Sequence, residues 1–202
     1  MENNYKIEYY KKDKNEWLKH RGFGGSSVSA LIGCSPYLTP IDIYCSHFNP
    51  SNDVKEKDTQ STIYGKNAEK LLANLFALNF PYYDVDYNEE IRMMRRIDEP
   101  MLTYTPDGLL TDKRDGRLGF LEIKTHIVKD QEDYDMWANN QLPQNYYSQL
   151  LQGFVVMNDK EFCELFVILN WIDYETNSFY KSELRHYHLE RKNCEKDIEY
   201  LE

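Results

Sequence analysis

Apolar residues recur at helical spacing in two places. Leu71, Leu72, Leu75 and Phe76, with Ala68 at the edge, predict a helix over 64–77. Tyr147, Leu150, Leu151 and Phe154 predict a second helix from Pro143 through Val156. Between them the period shortens to that of a strand. Residues 82–94 read as one strand that begins in alternation and ends in charge, 101–105 as another, and 118–125 as a third. Residues 164–170 are almost continuously apolar, the pattern of a central strand covered on both faces. A further strand over 179–189 and a closing helix over 191–201 complete the C-terminal part. Before the first long helix, residues 15–21 predict a short helix anchored by Trp17. Gly24–Ser27 form a tight turn that caps a helical 28–32, and Thr39 caps a helix over 41–48. Residues 49–62 read as loop and 130–142 as helix or ordered loop, and no segment repeats. Helix, three strands, helix, strand, then an added strand and helix predict an α/β fold with a mixed sheet flanked by helices.

Composition narrows this modestly. A chain of 202 residues, 41% hydrophobic and 14% aromatic, suits one domain with a sizeable core. The net charge of -10 argues against a surface that coats nucleic acid broadly, though a local basic groove is compatible with an acidic exterior. The polar start predicts no export signal, and no apolar run reaches membrane-spanning length, so a cytoplasmic protein without membrane contact is expected. Cys34, Cys45, Cys163 and Cys194 are scattered, with no Cys-x-x-Cys pair for zinc or an iron–sulfur cluster, and read as free, buried thiols. The five histidines show no zinc-type pairing; His126 lies just past the third strand, near the rim of any site there.

Candidate chemistry concentrates in Thr105-Pro-Asp-Gly108 and Leu121-Glu-Ile-Lys-Thr125. Gly108 and the 112–116 run supply turn residues, so a hairpin can bring Asp107, Glu122 and Lys124 to one point. Glu122 and Lys124, two apart on a strand, share a face; Leu121 and Ile123 point the other way, into a core. Two carboxylates, with the Ile123 backbone carbonyl as a third oxygen, suit a hard cation such as Mg²⁺, which keeps several waters. Lys124 beside the bound water would orient it or offset charge growing on phosphorus. A Glu-x-Lys alone is equally a surface ion pair on an exposed strand, and Glu69 alone is a solvated helix residue. The hydroxyls and free N–H groups of the Gly24–Ser27 turn suit a phosphate, or are simply a cap. Tyr146 and Tyr147 read as core residues or as platforms for bases.

Four blocks taken together resemble a family. They are Trp17–Arg21 leading into Gly24-Gly-Ser26, with Ala30–Gly33 and Ser35–Tyr37; Gly65–Glu69 opening a helix; the Pro-Asp-Gly and Glu-Ile-Lys pair; and Pro143 followed by Tyr146–Gln149. Their order resembles the PD-(D/E)xK nuclease superfamily, specifically the phage lambda exonuclease and YqaJ-type viral recombinases, over about residues 17–158. The resemblance implies a restriction-endonuclease-like core at about 17–172, an added strand and helix at 173–202, and one nuclease domain over 1–202. It implies a Mg²⁺-dependent deoxyribonuclease, with Mn²⁺ able to substitute, that digests linear duplex DNA ends from 5′ to 3′. Asp107 and Glu122, with Ile123, match the metal ligands, Lys124 the catalytic lysine, Glu69 an acidic residue from the preceding helix, and Gln149 a glutamine over the metal site. Arg21 and Ser26 match residues that hold a DNA phosphate; neighbouring Ser27 and Tyr147 join that expectation. A homotrimer and a single-strand annealing protein are the implied partners. Two departures stand: Leu151 occupies the place of a frequent second glutamine, with Gln152 next to it, and Ser27 stands where aspartate is common. A structure- or sequence-selective endonuclease and a non-catalytic DNA-binding module remain the alternatives.

Overall fold

The structure is a computed structural model that describes residues 3–48, 59–139 and 141–202. Its centre is a five-stranded mixed sheet in the order β2 (Tyr83–Tyr87), β5 (Gly108–Asp112), β6 (Leu118–Ile127), β7 (Phe162–Asp173) and β8 (Ser178–Glu190). Neighbours run antiparallel except β6 and β7, which are parallel from Gly119↔Phe162 to Ile127↔Asn170. A parallel pair needs a crossover, and residues 128–161 provide it with α5 (Gln131–Asp135) and α6 (Gln144–Val156). A smaller antiparallel sheet joins β1 (Tyr5–Tyr9), β3 (Arg92–Arg96) and β4 (Thr103–Tyr104). The remaining helices are α1 (Lys14–His20), α2 (Gly25–Leu31), α3 (Pro40–Phe48), α4 (Gln60–Asn79) and α7 (Glu195–Leu201).

Alternation along β6 divides the core in two. Leu121 and Ile123 face α4, where they pack with Leu72 and Phe76. Phe120 faces α6 and meets Phe154 edge-on. Glu122 therefore lies on the α6 face, only 3% exposed. The fourth apolar strand is central as its sequence predicts, with residues 162–167 buried throughout.

Several boundaries differ from the sequence reading. Residues 82–94 are two strands in two sheets. Asn88 ends β2 by accepting from the Arg92 N–H at 2.7 Å and donating to the Pro106 carbonyl at 2.8 Å, and Ile91 takes a left-handed turn with φ 53°. Gly108 opens β5; the hairpin turn lies further on, where Gly116 has φ +78°. β1, a short and mostly exposed strand, carries too few apolar residues to have been read. α4 starts at Gln60, capped by Thr59 Oγ1, which accepts from the Thr62 N–H; the rest of the expected 49–62 loop, residues 49–58, lies outside the described residues. Leu71 is 69% exposed, and Ala73 takes its place on the buried face. That rotation matters, because Glu69 is three and four residues from Leu72 and Ala73 and turns inward with them. Of the thiols expected to be buried, Cys163 and Cys194 are, Cys34 is half-buried and Cys45 is exposed.

Candidate active site

The site forms where β5 parts from β6. The last backbone rung between them is Asp107 N–H to the Leu121 carbonyl at 3.1 Å. One step further, the side chain of Asp107 replaces the missing strand: its Oδ2 accepts from the Ile123 N–H at 2.6 Å. In a strand a residue's N–H and carbonyl point to the same side, so the Ile123 carbonyl faces the space β5 has vacated, beside Asp107. The Pro-Asp-Gly segment thus fixes a carboxylate against the edge of β6 by a backbone bond.

Glu122 and Lys124 share the α6 face of the same strand. The Lys124 ammonium donates to Glu122 Oε1 at 2.6 Å. The Gln149 amide, from α6, donates to the same oxygen. The other oxygen, Oε2, accepts from the hydroxyl of Tyr104 at 2.8 Å. Glu69 reaches the group from α4 and accepts at Oε1 from the hydroxyl of Tyr87 at 2.9 Å. Burial raises the pKa of Asp107 well above the ordinary carboxylate range, and the charges of Glu122 and Glu69 raise it further against the pull of Lys124. Burial also raises the pKa of Glu69; the Tyr87 hydrogen bond opposes this and the Glu122 charge adds to it. Burial would lower the pKa of Lys124, but Glu122 and Asp107 outweigh it and hold the ammonium charged. Three crowded carboxylates and one ammonium leave a deficit of positive charge, the condition under which a site favours a cation.

Among the described residues, no group of three or more His, Cys, Asp or Glu side chains is arranged to hold a metal ion by itself. The donors at hand are two carboxylates and one carbonyl, and Lys124 and Gln149 already occupy Glu122 Oε1. This set fits a cation that keeps much of its water, as Mg²⁺ does, and does not fit one that needs a closed protein cage.

Arg21 and Ser26 connect to this group at one remove, through Trp17 and through Gly25. The Arg21 guanidinium donates to Ser26 Oγ and lies 5.0 Å from the centre of the Trp17 ring. The Trp17 indole in turn donates to Thr105 Oγ1 at 3.2 Å, tying α1 to the Pro-Asp-Gly segment. α2 approaches the site through Gly25: a Cβ there would lie 2.5 Å from Gln149 Cγ and 2.9 Å from Tyr104 Cε2. Gln152, beside the place of the absent second glutamine, is buried and donates to the Phe23 carbonyl, so it braces the approach to α2.

The structure therefore gathers Glu69, Asp107, Glu122, Lys124 and Gln149, and links Arg21 and Ser26 to them through Trp17 and Gly25. Ser27 is buried within α2. Tyr147 points elsewhere, its hydroxyl donating to Asp197 on α7 at 2.6 Å. Successive helix residues diverge by about 100°, so Tyr146, three residues before Gln149, is the one whose ring feels the Lys124 charge. His126 is engaged by both oxygens of Asp133, at 2.9 and 3.0 Å. Tyr104 and Tyr87 were not singled out from the sequence. Their only signal there is an aromatic at the end of a strand beside the acidic motifs.

A mixed sheet that releases an Asp where two strands part, with Glu-x-Lys on the next strand, defines a PD-(D/E)xK-type nuclease fold. The profile of the YqaJ-like viral recombinase domain matches residues 16–158, well over half of the chain, and the protein belongs to that family. The fold is also that of LHK-Exo, an alkaline exonuclease from Laribacter hongkongensis, at TM-score 0.60 and 12% identity over 93% of this chain and 88% of that one. A second structure of LHK-Exo, in complex with dAMP, matches at TM-score 0.58 with the same identity and coverage. No curated protein matches significantly. Among the described residues no helix is long and apolar enough to cross a membrane.

Proposed function

We propose that this chain is a divalent-metal-dependent deoxyribonuclease of phage-type recombination that degrades linear duplex DNA from its ends, 5′ to 3′. The observation that carries the reading is the convergence of Asp107, Glu122 and Lys124 at the parting of β5 and β6, with Glu69 and Gln149 closing over it. Asp107, Glu122 and the Ile123 carbonyl would hold Mg²⁺, or Mn²⁺ in its place. Bound there, the cation supplies Lewis-acid activation of a water and of the scissile phosphate. Lys124 keeps a full positive charge beside the reacting phosphate, where it offsets negative charge developing on the oxygens. Gln149 fixes the orientation of Glu122 Oε1. Glu69 adds negative charge that favours the cation. Arg21, with Ser26 beside it, presents a planar donor fork to a DNA phosphate, which for an end-directed enzyme is the 5′-terminal one. The whole chain acts as one nuclease domain in the cytoplasm, and by family likeness a homotrimer and a single-strand annealing protein are its expected partners.

The test uses purified protein, linear duplex DNA and Mg²⁺. Wild type degrades the linear DNA and leaves covalently closed circles intact. Lys124→Ala loses about 10²-fold or more in rate, the scale for removal of one charge-stabilising donor. Equal activity of Lys124→Ala, or no metal-dependent degradation by wild type, overturns the reading; cleavage of closed circles turns it to an endonuclease.

A further inference from the structure

We propose that Tyr104 and Tyr87 are positioning residues that set the two glutamates of the site for the cation, an inference that rests on the nuclease reading above. Each hydroxyl donates to one carboxylate: Tyr104 to Glu122 Oε2 at 2.8 Å and Tyr87 to Glu69 Oε1 at 2.9 Å. A glutamate bound on one oxygen only can still swing about its last torsion, which is broad and roughly two-fold. Glu122 is bound on both. Tyr104 holds Oε2 from the protein interior, so Oε1 is the oxygen turned to Lys124 and Gln149, on the open side of the group.

The ring that carries this hydroxyl has no room to move. Tyr104 is 1% exposed and packs edge-on against Phe120, ring centres 5.4 Å apart. It is closed in from two helices by glycines. A Cβ at Gly25 on α2 would lie 2.9 Å from its ring, and one at Gly153 on α6 would lie 3.1 Å from it. Two helices each give up a side chain where they pass this tyrosine. Its hydroxyl is thereby fixed relative to α2, α6 and the sheet together.

Tyr87 acts from the other side on Glu69, where it anchors one oxygen, Oε1. It stands opposite Gly108 in the β2–β5 register, one residue from Asp107. Its bond to Glu69 therefore links the helix glutamate to the strand that carries the aspartate. Both phenols remain protonated donors, since burial and the neighbouring carboxylates raise their pKa values. A neutral donor orients a carboxylate without bringing a positive charge that would compete with a cation. Lys124, by contrast, competes with the cation for Glu122.

Tyr104→Phe and Tyr87→Phe remove one oxygen each and keep the rings. Mn²⁺ binding to the free protein is measured by calorimetry, and cleavage of linear duplex DNA is followed against Mn²⁺ and against DNA. Each variant is expected to bind Mn²⁺ about 10-fold more weakly, the lower end of the ~10–100-fold seen when partners behind metal ligands are removed. The KM for DNA stays at the wild-type value, and excess Mn²⁺ restores most of the rate. Wild-type Mn²⁺ affinity in both folded variants overturns the proposal while leaving the nuclease reading intact. A wild-type protein that takes up no Mn²⁺ overturns both. Should Tyr104→Phe fail to fold, Tyr87→Phe, at a half-exposed position, decides alone.

Discussion

At the scale of single residues, the site is built as much by what is missing as by its charged groups. Gly25 has an ordinary negative-φ environment at the start of α2, so its role is one of space. Any side chain there would meet Gln149 Cγ at 2.5 Å and the Tyr104 ring at 2.9 Å, closer than Cβ contacts tolerate. Gly25→Ala is expected to cost about 1–3 kcal/mol, the usual range for overpacking. It also displaces the two groups that fix opposite oxygens of Glu122, so activity falls further than stability alone explains. Urea unfolding gives the first quantity. The cleavage rate, measured well below the unfolding midpoint, gives the second, and wild-type activity in a destabilised but folded variant would show that α2 does not position the site.

At the scale of elements, β6 and β7 each bury a glutamate, on opposite faces of the sheet. Glu122 faces α6 and belongs to the site. Glu164, 0% exposed, faces α4 and is satisfied by Tyr83, by His186 at 2.6 Å and by His188 at 2.8 Å. Burial by itself would raise the pKa of Glu164, and those three donors more than reverse it. The Glu164 hydrogen bond lifts His188 from 6.5 to about 8 against the opposing effect of burial, with Glu190 adding to the rise. A histidine whose folded pKa lies above its unfolded value stabilises the protein fully below about pH 6.5 and loses that contribution as pH passes through about 8. The contribution is on the order of 1 kcal/mol once solvent screening of this half-exposed ring is allowed for. Wild type should therefore exceed His188→Gln in urea stability at pH 6 by more than at pH 9; a constant difference would refute the coupling.

Glu164 also shows where the sequence stops being legible. Its strand reads as apolar, and one glutamate does not break that pattern. Its partners sit 22 and 24 residues away on β8, paired only once the sheet exists. The same holds at the site. Asp107, Glu122 and Lys124 were readable because turn residues and a two-residue spacing are local. Glu69, Gln149, Arg21 and Ser26 came from the family resemblance, which carries tertiary placement in a way that periodicity does not. Tyr104 and Tyr87 were invisible because nothing local separates a tyrosine that holds a carboxylate from one that fills a core. The split of 82–94 between two sheets was missed for a related reason: Asn88 ends β2 through a bond to Pro106, a partner 18 residues distant.

At the scale of the whole molecule, electrostatics must reconcile a net charge of -10 with a polyanionic substrate. An acidic exterior repels DNA from most approaches, so attraction has to be local. Several arginines are already neutralised at short range: Arg92 by Asp86, Arg96 by Asp98 and Glu202, Arg114 by Asp112, and Arg117 by Asp115 and Glu190. Arg21 lies between the Trp17 ring and the Ser26 hydroxyl, on the α1 and α2 side of the site. Affinity for a duplex depends on salt with a slope of about -0.9 in log K against log[salt] per phosphate neutralised. A protein that grips DNA only beside the site should show a shallow slope, corresponding to roughly two to four phosphates, where a repressor with a broad basic face shows about ten. Arg21→Gln should make the slope shallower by about 1 if this guanidinium takes one phosphate. The measurement is duplex binding in Ca²⁺ across a range of KCl, with 5′-phosphorylated and 5′-hydroxyl ends compared. The arginine's contribution should be larger on the phosphorylated end, because that phosphate carries the extra negative charge an end-reading enzyme would use. An Arg21→Gln slope equal to wild type on both ends would move the phosphate contact away from α1 and α2 and leave the carboxylate site without the end-reading element proposed here.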